Sequence, residues 1–207
     1  RSGAQALLAA HSHSDVLIRC DGLQHYALNR AFELVVLDGE RGCGNGMLLP
    51  AGPLREPISR LTEVDALILN GGAVFPPDML PPGVPAFDMR LDGATFYSLR
   101  APHQDVGADY FKDSNVRAVA AIGNPRRFFN RLHDLGITFI GNAFPDHHAF
   151  TLADCAFEDK TVVLMTEKDA VKLERLAREH DSWWALRVHA AMDPALGDLI
   201  LHKLGKR

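Results

Sequence analysis

The sequence predicts an α/β fold in which parallel strands alternate with helices, arranged as two lobes, residues 1–72 and 73–207, joined by a β-hairpin. Two observations carry that expectation. Runs such as FELVVLD (32–38) and VDALILNGG (64–72) are apolar at nearly every position, which suits strands covered on both faces of a parallel sheet. These runs close on Asp or on Asn-Gly-Gly, at the strand ends where open α/β sheets carry ligand chemistry.

The elements follow in chain order. RSGAQALLAA (1–10) reads as a helix entered partway, and DVLIR (15–19) as the first buried strand. After the second strand, a Gly/Pro-punctuated loop spans 44–61 and leads into a short helix with Pro57 in its first turn. Residues 73–104 begin Pro-rich and then carry two β-like runs around Leu91-Asp92-Gly93, where Asp-Gly signals a hairpin turn. VRAVAAIGN (116–124) reads as a strand and PRRFFNRLHDLG (125–136) as a helix, opened by Pro125 and closed by Gly136. ITFIGNAF (137–144) is a strand, and TLADCAFED (151–159) a helix with Thr151 as its cap and Asp154 three residues on. TVVLMTEKDAVKLERLA (161–177) turns from strand to helix. WWALRVHAA (183–191) is a last strand and PALGDLILHKL (194–204) a last amphipathic helix.

Bulk properties narrow the function. The 207 residues are 47% hydrophobic and 23% charged, an ordinary globular balance. A net charge of −4 gives no general attraction to nucleic acid. Three cysteines without CxxC spacing supply neither a disulfide framework nor a zinc signature. No apolar run approaches the roughly 20 residues that cross a bilayer, and no signal peptide is evident. The opening at Arg1, inside a helical pattern, is expected of a fragment.

Several residues carry possible chemistry. Asp21, behind an apolar run and before Gly22, occupies the place of a Walker-B aspartate, which binds Mg²⁺ in P-loop enzymes; the same pattern also serves as a plain turn. Arg55 and Glu56 in LREP (54–57) read either as a phosphate clamp or as a surface ion pair. In FPDHHAF (144–150), Asp146, His147 and His148 read as metal ligands, as an acid–base pair, or as surface histidines. Neighbouring histidines on an extended backbone point opposite ways, so at most one of the two serves a site. Thr166 caps a helix with Asp169 three residues on, and Lys168 and Lys172 either steer a polyanion or form a solvated face. No G-x-x-x-x-G-K-[ST] occurs, so the loop that cradles ATP phosphates is absent from these residues.

The stretch DGLQHYALNRAFELVVLDGERGCGNGMLLPAGPLREPISRLTEVDALILNGG (21–72) resembles the tetraacyldisaccharide 4′-kinases of lipid A synthesis. AIGNPRRFF (121–129), FPDHHAF and LMTEKDAVKL (164–173) match that family in the same order, so the resemblance covers essentially the whole chain. It implies an ATP- and Mg²⁺-dependent kinase acting on the 4′-hydroxyl of a tetraacylated glucosamine disaccharide 1-phosphate, the lipid A disaccharide precursor. It implies a partial P-loop kinase core with a parallel sheet in residues 1–72, then a β-hairpin linker and a smaller C-terminal α/β lobe in 73–207. The P-loop and a membrane-associating N-terminal helix would lie upstream. The full-length protein would then work at the cytoplasmic face of the bacterial inner membrane, and the chain alone, lacking the P-loop, is expected to be inactive. No nucleic-acid partner is implied.

Carried over by position, Asp21 matches the second aspartate of the family's Asp-Asp-Gly motif, and with Glu56 it would serve the metal. Gln24, His25 and Arg55 match residues beside the acceptor sugar and its phosphate. His147 matches a histidine that pairs with a catalytic aspartate upstream of residue 1. Two departures stand out. Cys20 replaces the first Walker-B aspartate, and a neutral thiol is a poor Mg²⁺ ligand. Cys43 stands where the family has an aromatic. Two further readings remain: a non-catalytic module holding a phosphorylated glycolipid through Arg55, Lys168 and Lys172, and a metallohydrolase on Asp146, His147 and His148.

Overall fold

The computed structural model describes residues 2–71, 80–158, 160–177 and 182–205. Its elements are α1 (Ser2–Ala10), β1 (Leu34–Asp38), β2 (Ala66–Asn70), β3 (Ala86–Ser98), β4 (Ala101–Gly107), β5 (Val116–Ala120), α2 (Pro125–Asp134), β6 (Ile140–Ala143), β7 (Val162–Thr166), α3 (Glu167–Leu173), β8 (Trp183–Met192) and α4 (Ala195–Lys203). This is a mixed α/β fold with mostly parallel strand pairing. No helix among the described residues is long and apolar enough to cross a membrane. Packing divides the chain into two compact units, Arg1–Leu91 with Ala190–Arg207, and Asp92–His189. The lobe boundary expected at 72/73, and the Pro-rich stretch up to residue 79, lie outside the described residues.

In the first unit β2 runs parallel to β1, from Leu34 opposite Ala66 to Asp38 opposite Asn70, and parallel to the start of β3. Its run ALILN is covered on both faces, which is why it is apolar at four consecutive positions. Leu67 packs with Leu61, Val64, Leu23 and Val35 on one face. Ala66 and Ile68 pack on the other against Leu196 and Leu199 of α4. Burial of each such Leu or Ile is worth about 1.5–3 kcal/mol. The sequence groups α4 with the second lobe; by packing it belongs to the first unit.

The expected strand at 15–19 is not formed. These residues join no ladder, and Ile18 is 86% exposed. An apolar run becomes a buried strand only where a neighbouring strand satisfies its backbone groups, and among the described residues β1 pairs with β2 alone. Asp21 therefore does not end a buried strand here. The helix expected after 57 is a 3₁₀ stretch, Ile58–Glu63, with Pro57 in its cap position.

In the second unit β5 lies between β6 and β7, and β8 pairs with β7, all in parallel. Phe96, Phe111, Phe128, Leu132 and Leu164 are in the core of one face. Leu99, Val163, Met165 and Leu173 are in that of the other. Helix α2 begins at Pro125 and ends as anticipated: the Gly136 and Ile137 amides donate to the His133 and Leu132 carbonyls, a Schellman closure. The segment 151–159 shortens to a 3₁₀ turn, Leu152–Cys155, but keeps the capping box of Thr151 and Asp154.

The hairpin turn is displaced from its expected place. β3 includes Asp92-Gly93, and the chain reverses at Leu99–Arg100 before β4. Gly93 is required for close approach instead of for a turn. A Cβ there would stand 2.3 Å from the Arg187 carbonyl oxygen, and the Gly93 carbonyl accepts from Arg131 Nε at 2.7 Å. A glycine within a strand pattern commonly marks such an approach of two backbones.

Candidate active site

In the first unit residues 20–30 form a succession of turns that faces the loop ahead of the 3₁₀ stretch. Asp21 has a left-handed φ of 50°, a conformation that Asp tolerates better than most residues. Three contacts join the two loops. Arg55 Nη1 donates to Asp21 Oδ1 and Oδ2 at 3.3 and 3.2 Å. Gln24 Nε2 donates to the Arg55 carbonyl at 3.4 Å. The Tyr26 hydroxyl donates to Glu56 Oε1 at 3.1 Å. The structure thus pairs Arg55 with Asp21, not with Glu56.

The loops enclose a cleft of about 190 Å³. Asp21, Gln24, Arg55 and Glu56 contribute its polar groups; Leu23, Val35, Leu37, Cys43 and Leu54 are on its apolar side. Burial pushes the Cys43 thiol above its ordinary pKa, so it stays neutral there. Cys20 is exposed. His25 occupies an exposed turn, its amide donating to the Gly22 carbonyl at 3.0 Å, and is not among the residues lining the cleft.

The wall of the cleft is braced by contacts that the residue pattern conceals. Arg60 is 7% exposed and donates through Nη2 to both Glu33 oxygens, at 3.1 and 2.7 Å. This pairing holds its guanidinium pKa well above the ordinary arginine value. Arg30 lies 2.7 Å from the same Glu33 and also donates to the Gly22 and Leu23 carbonyls. Asp21 and Gln24 are therefore anchored through their neighbours to a partly buried ion cluster. On the other side, the 42–54 loop is held by Asn45, whose Nδ2 donates to the Ala51 carbonyl at 2.9 Å. Gly52 fits there because a Cβ would lie 2.1 Å from Asn45 Oδ1.

Among the described residues no group of three or more His, Cys, Asp or Glu forms a metal cage. Asp21 and Glu56 are two hard oxygen donors on one cleft. Mg²⁺ keeps several waters and binds through one or two carboxylates plus substrate phosphates. The pair could hold a Mg²⁺ that keeps several waters and takes further ligands from substrate phosphates.

The second unit carries His147 by itself. Its φ is 62° and its side chain is 78% exposed. The preceding Asp146 accepts from the His147 amide at 3.0 Å and from Lys168 Nζ at 3.1 Å, and its Oδ2 stands 3.6 Å from His147 Nε2. The Lys168 hydrogen bond holds the Asp146 carboxyl below the ordinary aspartate range. His148 turns the other way, stacked on Phe144 at 4.8 Å with Nε2 3.2 Å from Asp154. As expected of adjacent histidines, only one is presented outward, and the metallohydrolase reading loses the ligand set it needs. Lys172 bonds Asp169 Oδ1 and the Ala121 carbonyl at 2.9 and 3.3 Å. Lys168 and Lys172 thus each have a carboxylate partner within the unit.

Tyr26, Glu33 and Arg60 were not anticipated as parts of a site. Local spacing hints at them only through the i,i+3 pairs Arg30–Glu33 and Arg60–Glu63; Tyr26 and Arg60 also act on partners about thirty residues away in sequence.

A family model described as Tetraacyldisaccharide-1-P 4′-kinase matches residues 1–205. The tetraacyldisaccharide 4′-kinase of Methylobacillus flagellatus is 46% identical over 97% of this chain and 57% of its own length. That of Dechloromonas aromatica is 48% identical over 98% of this chain and 60% of its own. A crystal structure of the "apo" form of LpxK from Aquifex aeolicus in complex with ATP superposes with a TM-score of 0.67 at 29% identity, over 89% of this chain and 56% of that one. The chain spans up to three-fifths of the length of these relatives.

Proposed function

The chain belongs to the tetraacyldisaccharide-1-P 4′-kinase family, and from that premise we propose that it forms the acceptor and metal side of a kinase that phosphorylates the 4′-hydroxyl of a tetraacylated glucosamine disaccharide 1-phosphate. The observation that carries this reading is the convergence of Asp21, Gln24, Arg55 and Glu56 on one cleft. ATP is the phosphoryl donor. The acceptor oxygen forms the new bond to the γ-phosphorus, the bond to the β-phosphate oxygen breaks, and ADP leaves.

Each residue takes a role its chemistry permits. Arg55 is exposed and can turn its guanidinium from Asp21 to a phosphate, because an exposed ion pair is worth only about 0–1 kcal/mol. The Gln24 amide fixes the backbone that carries Arg55 and faces the sugar; His25, outside the cleft lining, would reach the acceptor only at its edge. Asp21 and Glu56 would hold Mg²⁺, which would neutralise charge on the transferring phosphates. With cysteine at position 20, the metal would depend on these two carboxylates. His147 orients the carboxylate that takes the hydroxyl proton, and Asp146 and Lys168 hold the loop that presents it. The phosphate-cradling loop comes from a segment outside these residues. We place the reaction at the cytoplasmic face of the bacterial inner membrane, with membrane contact made by the N-terminal helix that the resemblance implies.

Nuclear magnetic resonance of the chain with the deacylated, water-soluble disaccharide 1-phosphate tests this reading. The expected result is shifts at the amides of Gln24 and Arg55 and about tenfold weaker binding by Arg55→Ala, the effect of one charge-assisted hydrogen bond. Unchanged binding by Arg55→Ala would remove the cleft as the acceptor site.

A further inference from the structure

We infer that Tyr26 is a positioning residue for the metal, fixing the Glu56 carboxylate in the orientation that receives it. The inference rests on the reading of Asp21 and Glu56 as metal ligands and adds a residue to which no role has been assigned. Among the described residues the Tyr26 hydroxyl is the only side-chain group that hydrogen-bonds Glu56, at 3.1 Å through Oε1. Oε2 accepts no hydrogen bond among the described residues. A glutamate on an otherwise unrestrained loop samples many rotamers, and a partner on one oxygen selects the orientation in which the other is presented.

Tyr26 is suited to this because its ring does not depend on the hydrogen bond for its place. The guanidiniums of Arg30 and Arg60 lie 5.7 and 5.8 Å from the ring centroid, within cation–π range. Arg60 is fixed by Glu33, and Arg30 by Glu33 and two backbone carbonyls. The ring is 60% exposed, so the fold does not require its burial. A partly buried ion cluster thus fixes the phenol that orients the half-buried Glu56 carboxylate.

Mn²⁺ titrations followed by electron paramagnetic resonance test this on the wild-type chain, Tyr26→Phe, Glu56→Gln and the double variant. Phenylalanine keeps the ring over both guanidiniums and removes only the hydroxyl. Tyr26→Phe is expected to bind Mn²⁺ about tenfold more weakly, as for loss of an outer partner of a metal ligand. The double variant is expected to bind no more weakly than Glu56→Gln, because the two residues act as a unit. The melting midpoint of Tyr26→Phe is expected to stay within about 2 °C of wild type. Wild-type affinity in Tyr26→Phe, or losses that add in the double variant, would overturn the inference and leave the metal site standing. A wild-type chain that binds no Mn²⁺ would remove both.

Discussion

Arg60→Met is expected to destabilise the first unit by about 3 kcal/mol, the low end for breaking a buried ion pair. The guanidinium is 7% exposed; among the described residues Nε finds no hydrogen-bond partner, and Nη1 has only the exposed Glu63 carboxylate, 3.4 Å away. Its burial is therefore compensated chiefly by Glu33, on which Nη2 closes at 3.1 and 2.7 Å. Methionine fills similar space but leaves a Glu33 side chain only 15% exposed with one cation, Arg30, where it had two. That remaining partner is why the loss falls at the low end. Thermal unfolding by circular dichroism is expected to shift down by about 10 °C, at roughly 2–4 °C per kcal/mol for a chain of this size. Arg60→Lys is expected to recover little, since an ammonium lacks the planar fork that spans a carboxylate. A midpoint within 2 °C of wild type in Arg60→Met would show that the cluster does not hold the wall of the cleft.

Asp169→Ala is expected to cost about 3–5 kcal/mol in the second unit. The carboxylate is fully buried. It accepts from the Ala121 amide at 3.0 Å, Thr166 Oγ1 at 2.8 Å and Lys172 Nζ at 2.9 Å. Alanine leaves the Ala121 amide without that acceptor and the Lys172 ammonium, one-quarter exposed, without its counter-charge. Asp169→Asn keeps the acceptor for Ala121 and loses only the charge balance, so a smaller loss is expected. Denaturant unfolding followed by tryptophan fluorescence reads this directly, because Trp183 and Trp184 both lie in that unit. Equal stability of wild type and Asp169→Ala would contradict the reading of Asp169 as the tie between the end of β5 and the start of α3.

The elements legible in the sequence are those whose pattern and partners agree. ALILN and VVLMT read as strands covered on both faces, and β2 and β7 are buried at four consecutive positions. Pro125 and Gly136 bracket α2 because its end chemistry is local. DVLIR has the same apolar pattern and forms no strand, because pairing is a non-local property that a run cannot state about itself. Asp92-Gly93 misleads for a related reason: its glycine accommodates the backbone of Arg187, more than ninety residues later. The site divides in the same way. Asp21, Arg55 and Glu56 are proposed from residue type and motif; the structure brings Asp21 and Arg55 into contact and places Glu56 on the same cleft. Tyr26 and Arg60 are not, since a phenol or guanidinium signals no role until its partner across thirty residues is known.

The most direct test of the proposed kinase is phosphoryl transfer by a protein in which this chain follows the phosphate-cradling portion of the Methylobacillus flagellatus relative. With ATP, Mg²⁺ and the tetraacylated disaccharide 1-phosphate, phosphorus resonance is expected to show a new 4′-phosphate, with formation slowed at least tenfold by Arg55→Ala or His147→Ala. A protein that binds the acceptor and forms no 4′-phosphate would contradict the account and favour a non-catalytic glycolipid-binding role; undiminished transfer in both variants would show that the chemistry lies elsewhere.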